Sequence, residues 1–266
     1  MRLFKLSIIS FMLLCFFVSC DTVPITGRSQ LSLVSESQMN AMGLDYYKEF
    51  LSKNKLSTNT AQTKQVKNVG KKISDAVTRF FFQSGQSGRV ADYKWEFNLV
   101  EDKEANAWCL PGGKVVVYTG ILPITKDETG LAVVMGHEIA HAVAGHGSER
   151  MSQELLAQMG GVALSVALSQ QPAATSALFM QAYGAGAQVG VLLPYSRLHE
   201  SEADRLGLIF MTMAGYDPNA AVSFWQRMAQ TKKGSAPPEF LSTHPADQTR
   251  INNIKAYIPE AMSYRK

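Results

Sequence analysis

Two hydrophobic periods alternate along this chain, and they divide it into segments. Val66, Val69, Ile73, Val77 and Phe80 recur at intervals of three and four, which predicts a helix over 60–83. An earlier helix running to about Lys53 is announced by Ser35 and Gln38, a Ser-x-x-Gln capping box. Over 93–100 the period changes to two, because Tyr93, Trp95, Phe97 and Leu99 alternate with polar residues, and this predicts a strand. Residues 106–110 and 114–118 read as two short strands turned by Pro111-Gly112-Gly113. From Asp127 onward the pattern is helical. Thr125 or Asp127 caps a helix through at least Ala144, and further helices are expected near 148–168, 174–190, 195–214, 218–231 and 245–257. Residues 159–193 are rich in Ala and Gly and broken by Gln170-Gln171-Pro172. They predict small-residue helices packed closely on the core, not a membrane span. The expected fold is α+β and mostly helical, with a small sheet, no internal repeat and one domain over 35–266.

Composition adds two limits. Hydrophobic residues make up 46% and charged residues 18%, as in a globular protein. The net charge of +4 is evenly spread, with no basic stripe, so nucleic acid is not an expected partner. The first 19 residues stand apart. Arg2 and Lys5 precede an apolar run, Leu6 to Val18, of signal-peptide length, whereas a spanning helix needs about 18 or more apolar residues. An uncleaved anchor is the alternative. Phe17-Val18-Ser19-Cys20 resembles a bacterial lipoprotein cleavage box, with Phe where Leu is commoner. On that reading 1–19 is a signal peptide, Cys20 becomes the lipidated first residue, and 20–34 is an extended tether. The chain would then be lipid-anchored to the inner or outer membrane of a bacterial envelope, facing the periplasm. Cys109 is the one thiol left, so no intramolecular disulfide is expected.

Candidate chemistry is concentrated in Val133–His146, VVMGHEIAHAVAGH. His137 and His141 lie four apart, on one face of a helix, at a separation that lets two imidazoles share one metal ion. Glu138 sits about 100° around the helix, placed to reach a metal-bound water rather than the metal. This His-Glu-x-x-His arrangement is that of zinc peptidases. The surrounding positions are apolar nearly all round, which predicts a buried helix. Two histidines and a carboxylate buried there without partners would cost several kcal/mol, on the order of 2–7 each. A cation removes the difficulty. His146 falls five after His141 and does not fit the metzincin spacing; on a continuing helix it would point about 140° away, so it reads as a helix-end histidine. A third ligand is expected from Leu198-His199-Glu200-Ser201-Glu202-Ala203-Asp204. Glu200 and Asp204 share a helix face, so Glu200 can coordinate while Asp204 accepts the outer ring proton of a ligand histidine. Glu202 is the competing ligand. Otherwise it is expected to meet solvent or an arginine.

His137-Glu138-Ile139-Ala140-His141, then Glu200-Ser201-Glu202-Ala203-Asp204, then Ser242-Thr243-His244-Pro245 with Arg250, resembles the HtpX- and CAAX-protease-like zinc metallopeptidases, peptidase family M48. The similarity is closest to its small bacterial lipoprotein members and takes in Asn106–Gly120 (NAWCLPGGKVVVYTG). It implies a gluzincin-type domain with the small sheet packed beside the zinc helix. It also implies one Zn2+ per chain held by His137, His141 and Glu200, supported by Asp204 and Arg250, with Glu138 as catalytic base. The implied activity is endopeptidase cleavage of unfolded or misassembled envelope proteins. For the oxyanion His244 is the first candidate, Arg250 the second and Tyr195 the third. His244 is equally open to a role as a helix cap, or as a fourth zinc ligand that shuts the enzyme. Asn106, Ala107, Trp108 and Cys109 read as an edge strand able to add an extended substrate by main-chain hydrogen bonds. The rival reading is an envelope assembly or chaperone-like lipoprotein with a structural or closed zinc site.

Overall fold

The computed structural model describes residues 20–169, 171, 173–187, 193–231 and 238–265. The signal segment 1–19 and residues 232–237 of the expected flexible loop lie outside them, as do the side chains of Cys20 and Tyr195. Two compact units divide the chain. One combines Met1–Ser35 with Ser148–Leu193, the other Glu36–Gly147 with Pro194–Lys266.

In chain order, β1 (Cys20–Thr22) pairs antiparallel with β2 (Ser29–Leu31). Two long helices follow, α1 (Glu36–Lys53) and α2 (Thr60–Gln83), the latter capped by Asn59, whose side chain accepts from Gln62 N at 3.1 Å. Next come β3 (Glu96–Val100), β4 (Ala107–Leu110) and β5 (Lys114–Tyr118). A short α3 (Leu122–Thr125) leads into α4 (Glu128–Val143), which Asp127 caps by accepting from Gly130 N at 2.8 Å. The remainder is helical: α5 (His146–Ala167), α6 (Ala173–Ala187), α7 (Leu193–Met213), α8 (Ala220–Thr231), α9 (Glu239–Thr243) and α10 (Gln248–Ser263). The expected mostly helical α+β architecture is the observed one.

The larger unit holds the three-stranded sheet, ordered β3-β5-β4. β5 runs antiparallel to β4 through the expected Pro111–Gly113 turn and parallel to β3, with Phe97 opposite Val115. As the middle strand it is buried on both faces, and Val115, Val116 and Val117 are fully enclosed. β4 is an edge strand packed beside α4. Trp108 on β4 turns its ring into an aromatic group on α1, 4.9 Å from Phe50 and 6.4 Å from Tyr47. α4 is buried almost throughout, as a helix apolar on every side must be.

The smaller unit departs from the sequence reading once and adds to it once. Residues 21–34 are not a plain extended tether. Hydrogen bonds from Val23 N to Arg28 O and from Gly27 N to Val23 O close a turn, with Ile25 and Gly27 at positive φ. The segment is fixed to the first turns of α5. Arg28 forks onto Glu149 at 2.7 and 2.8 Å, Leu33 N donates to Ser152 Oγ at 2.9 Å, and Ser148 Oγ donates to Val34 O at 3.3 Å. Within this unit the small residues of α5 meet α6, which the small-residue pattern did not specify. The two helices pack on each other, with Tyr183 Oη donating to Ala157 O at 2.8 Å, and leave Met159 and Val166 about two-thirds exposed. The small residues serve the close pairing of the two helices; their outer face stays bare.

Candidate active site

The site depends on a crossing of two helices without side chains between them. A Cβ on Gly207 of α7 would stand 2.9 Å from the backbone N of His137, and one on Gly136 of α4 would stand 3.0 Å from Gly207 O. Only glycine at both positions lets the backbones touch there. This contact brings His137 and His141 of α4 to the same place as Glu200 and Asp204 of α7. His244, which ends α9, completes the group, its ring 4.6 Å from that of Phe240.

His137, His141, Glu200 and His244 each offer a donor atom, and these atoms lie within 4.8 Å of one another. His137 Nε2 is 3.1 Å from His141 Nε2 and 3.3 Å from Glu200 Oε2, and His141 Nε2 is 3.2 Å from Glu200 Oε1. A tetrahedral ion with bonds of about 2.0–2.1 Å has ligand-to-ligand edges of roughly 3.3 Å, so the two imidazole nitrogens and the Glu200 carboxylate are spaced as one face of such a shell. His244 Nδ1, 3.2 Å from His137 Nε2 and 2.9 Å from Glu200 Oε1, stands at a fourth corner. Imidazole and carboxylate donors in this number suit a divalent ion such as zinc. The charges agree. Glu138, Glu200 and Asp204 are three buried or mostly buried carboxylates with the Arg250 guanidinium beside two of them, a setting that favours a bound cation.

The outer contacts fix the rings. Asp204 Oδ1 lies 3.0 Å from His137 Nδ1, the contact expected from the Glu200/Asp204 spacing. Arg250 Nε and Nη2 each donate to Asp204 at 2.8 Å, Nη1 reaches Glu200 Oε2 at 2.9 Å and Pro245 O at 3.2 Å, and the guanidinium lies 3.4 Å over the Trp225 ring. Burial opposes charge on His137, but the Glu200 and Asp204 carboxylates outweigh it and push its pKa up to about 9. Burial likewise opposes ionisation of Glu200, and the surrounding histidines hold it far below the usual carboxylate range. For His141 burial prevails and keeps the ring neutral.

Glu138 is 5% exposed. Its Oε1 accepts no hydrogen bond among the described residues and stands 3.5 Å from His244 Nε2. Burial raises its pKa above the ordinary carboxylate value. A buried, unpartnered carboxylate oxygen beside a donor cluster is what a proton acceptor needs before its water arrives.

Sequence reasoning missed one group. The chain does not continue as a helix past Ala144. Gly145 takes φ 75°, and the turn swings His146 back over His141, with Nδ1 to Nδ1 at 2.9 Å. Behind it Glu202, expected to face solvent or an arginine, is buried and 3.3 Å from His146 Nε2, while His199 stacks on the His146 ring at 4.4 Å. The signal that pointed to this was Gly145 itself, a residue suited to positive φ between two histidines. His146 is not among the converging donors, in keeping with the failed metzincin spacing.

The model of peptidase family M48 matches residues 62–258, which contain every side chain of this cluster. The chain is 39% identical to the mitochondrial metalloendopeptidase OMA1 of Schizosaccharomyces pombe, over 94% of this chain and 70% of that one. It is 32% identical to OMA1 of Homo sapiens, over 94% of this chain and 48% of the relative. It is 27% identical to the beta-barrel assembly-enhancing protease of Escherichia coli strain K12, over 89% and 47%. A paired-histidine helix, a carboxylate brought from a second helix and a family model spanning both therefore agree: the chain belongs to peptidase family M48 and is a metalloendopeptidase.

Proposed function

We propose that this chain is a zinc-dependent endopeptidase that cleaves unfolded or misassembled proteins of a bacterial cell envelope, anchored there through an acylated Cys20. The observation that carries the chemistry is the convergence of His137, His141 and Glu200 beside a buried Glu138 with an unpartnered oxygen. The envelope reading is supported by the Phe17–Cys20 box and by the name of the Escherichia coli relative, which ties that protein to β-barrel assembly.

Zinc held by the three side chains would supply a Lewis acid that polarises the scissile carbonyl and makes water acidic enough to lose a proton near neutral pH. The protein's own residues do the rest. Glu138 takes the proton and hands it to the leaving amine, a task helped by its raised pKa. Asp204 holds His137 by its outer nitrogen, and Arg250 neutralises Asp204 and Glu200 together. Arg250 has its donors committed to these groups, so it acts as a positioning residue and leaves the oxyanion to His244. His141 is held by a longer chain. With Nε2 toward the metal it must carry its proton on Nδ1 and donate to His146 Nδ1, which obliges His146 to donate from Nε2 to Glu202. The open edge of β4, Asn106–Cys109, would take an extended substrate by strand addition, a mode with little side-chain selectivity.

Chelator-sensitive cleavage of casein, with Glu138→Gln as control, tests this reading. The parent should cut, the chelated parent should not, and Glu138→Gln should lose at least about a hundredfold in turnover. Cleavage by Glu138→Gln at the parental rate refutes the role of Glu138. One observation favours a second state of the same site, in which His244 Nδ1 fills the fourth corner and keeps the enzyme latent. His244→Ala should then raise basal proteolysis; a fall would instead favour oxyanion stabilisation. A site held closed in this way is also what the assembly-factor alternative requires.

A further inference from the structure

Between Glu154 and Arg197 the chain contains no Asp, Glu, Lys, Arg or His. α5 carries an exposed apolar stripe through this stretch: Leu155, Met159, Val162 and Val166, at spacings of four, three and four, lie on one helix face and are 39%, 66%, 64% and 68% exposed. Phe179 of α6 adds a further ring, 53% exposed. Scattered exposed apolar residues need no explanation, but an aligned stripe within a charge-free stretch does.

From these features we infer that the α5–α6 hairpin lies in a lipid surface, with the Leu155–Val166 stripe seated at the boundary between headgroups and acyl chains. Charge decides between the possible occupants. A protein partner, or a second copy packed as a coiled coil, is normally registered by charged residues flanking the apolar seam. Residues 155–196, which carry the stripe and all of α6, have none. A bilayer makes the opposite demand, since charged residues are costly against acyl chains. No helix among the described residues is long and apolar enough to cross a membrane, so the hairpin rests in the interface rather than spanning it. The Cys20–Leu31 hairpin is clamped to the first turns of α5 by Arg28–Glu149, so an acyl chain on Cys20 would hold this stripe near the same bilayer. One acyl chain alone binds only marginally, and stable attachment takes a second contact, which the stripe supplies. The inference goes beyond the proteolytic reading and does not depend on it.

The test uses chain beginning at residue 20 with Cys20→Ser, which cannot be acylated, so failure of the anchor reading cannot mimic failure of this one. Flotation with vesicles of phosphatidylethanolamine and phosphatidylglycerol should carry the protein to the top of the gradient, and equally at high salt. Met159→Asp with Val166→Asp should reduce the floated fraction at least about tenfold, while Met159→Leu with Val166→Leu retains it. Far-UV circular dichroism and casein cleavage should match the parent in both. Three results would overturn the inference: parent that stays at the bottom, Asp variants that float as well as the parent, or binding abolished by salt. A dimer in sedimentation that the Asp variants dissolve, without flotation, would assign the stripe to a second copy instead.

Discussion

α4 and the α5–α6 hairpin are both apolar stretches, separated only by a turn at Gly145, and they use apolarity in opposite ways. α4 buries Leu131, Val134, Met135 and Ile139 and takes His137 and Glu138 into the interior with them. From Leu155 to Ala187 the hairpin carries no charged group and leaves Leu155, Met159, Val162, Val166 and Phe179 exposed. Hydrophobic content does not distinguish the two. What distinguishes them is the presence of buried titratable groups, because each such group requires a partner and therefore fixes its surroundings. Substitutions should be costly where polar groups are enclosed and nearly free where apolar ones are exposed.

The largest effect is expected at Arg250. Arg250→Ala removes the cation from between Asp204 and Glu200 and should destabilise the metal-free protein by about 3–5 kcal/mol, read as a lowered urea midpoint. A change below about 1 kcal/mol would mean that these carboxylates do not depend on Arg250. Gly207→Ala comes next. Its methyl group meets the His137 backbone and should cost about 1–3 kcal/mol while lowering activity, because it spreads the two helices that carry the donors. His146→Gln should leave the fold intact and weaken zinc affinity about 10–100-fold in competition with a chromogenic chelator. Unchanged affinity would show that His141 needs no support from Glu202. Smallest of all is Val162→Gln on the hairpin, which should move the unfolding free energy by no more than about 0.5 kcal/mol. A loss of 2 kcal/mol or so would erase the contrast with α4.

Two elements were legible in the sequence to the residue, while the strand read over 93–100 from its period of two begins only at Glu96. The helix expected over 60–83 is Thr60–Gln83, and the strand expected over 114–118 is Lys114–Tyr118. His137, His141, Glu200 and Asp204 were also legible, since helical spacing alone places each pair on one face. What escaped depends on contacts distant in sequence. No local pattern announces that β3 pairs parallel with β5, or that Gly136 meets Gly207. The expectation for Glu202 failed for a related reason. It rested on Glu202 facing away from Glu200 and Asp204 on its own helix, whereas one residue at positive φ turned the His146 ring toward it and gave Glu202 a buried partner. The packing of the hairpin was left open, because small residues predict close packing without saying against what. Here they pack two helices on each other and leave the far side exposed.

One ion gripped from two helices is the centre of the proposed chemistry. Diffraction from crystals of zinc-loaded chain, collected on both sides of the zinc absorption edge, tests this directly. The expected result is a single anomalous peak bonded to His137, His141 and Glu200 at about 2.0–2.2 Å. No peak at these side chains, in crystals of protein that still cleaves casein, would contradict it.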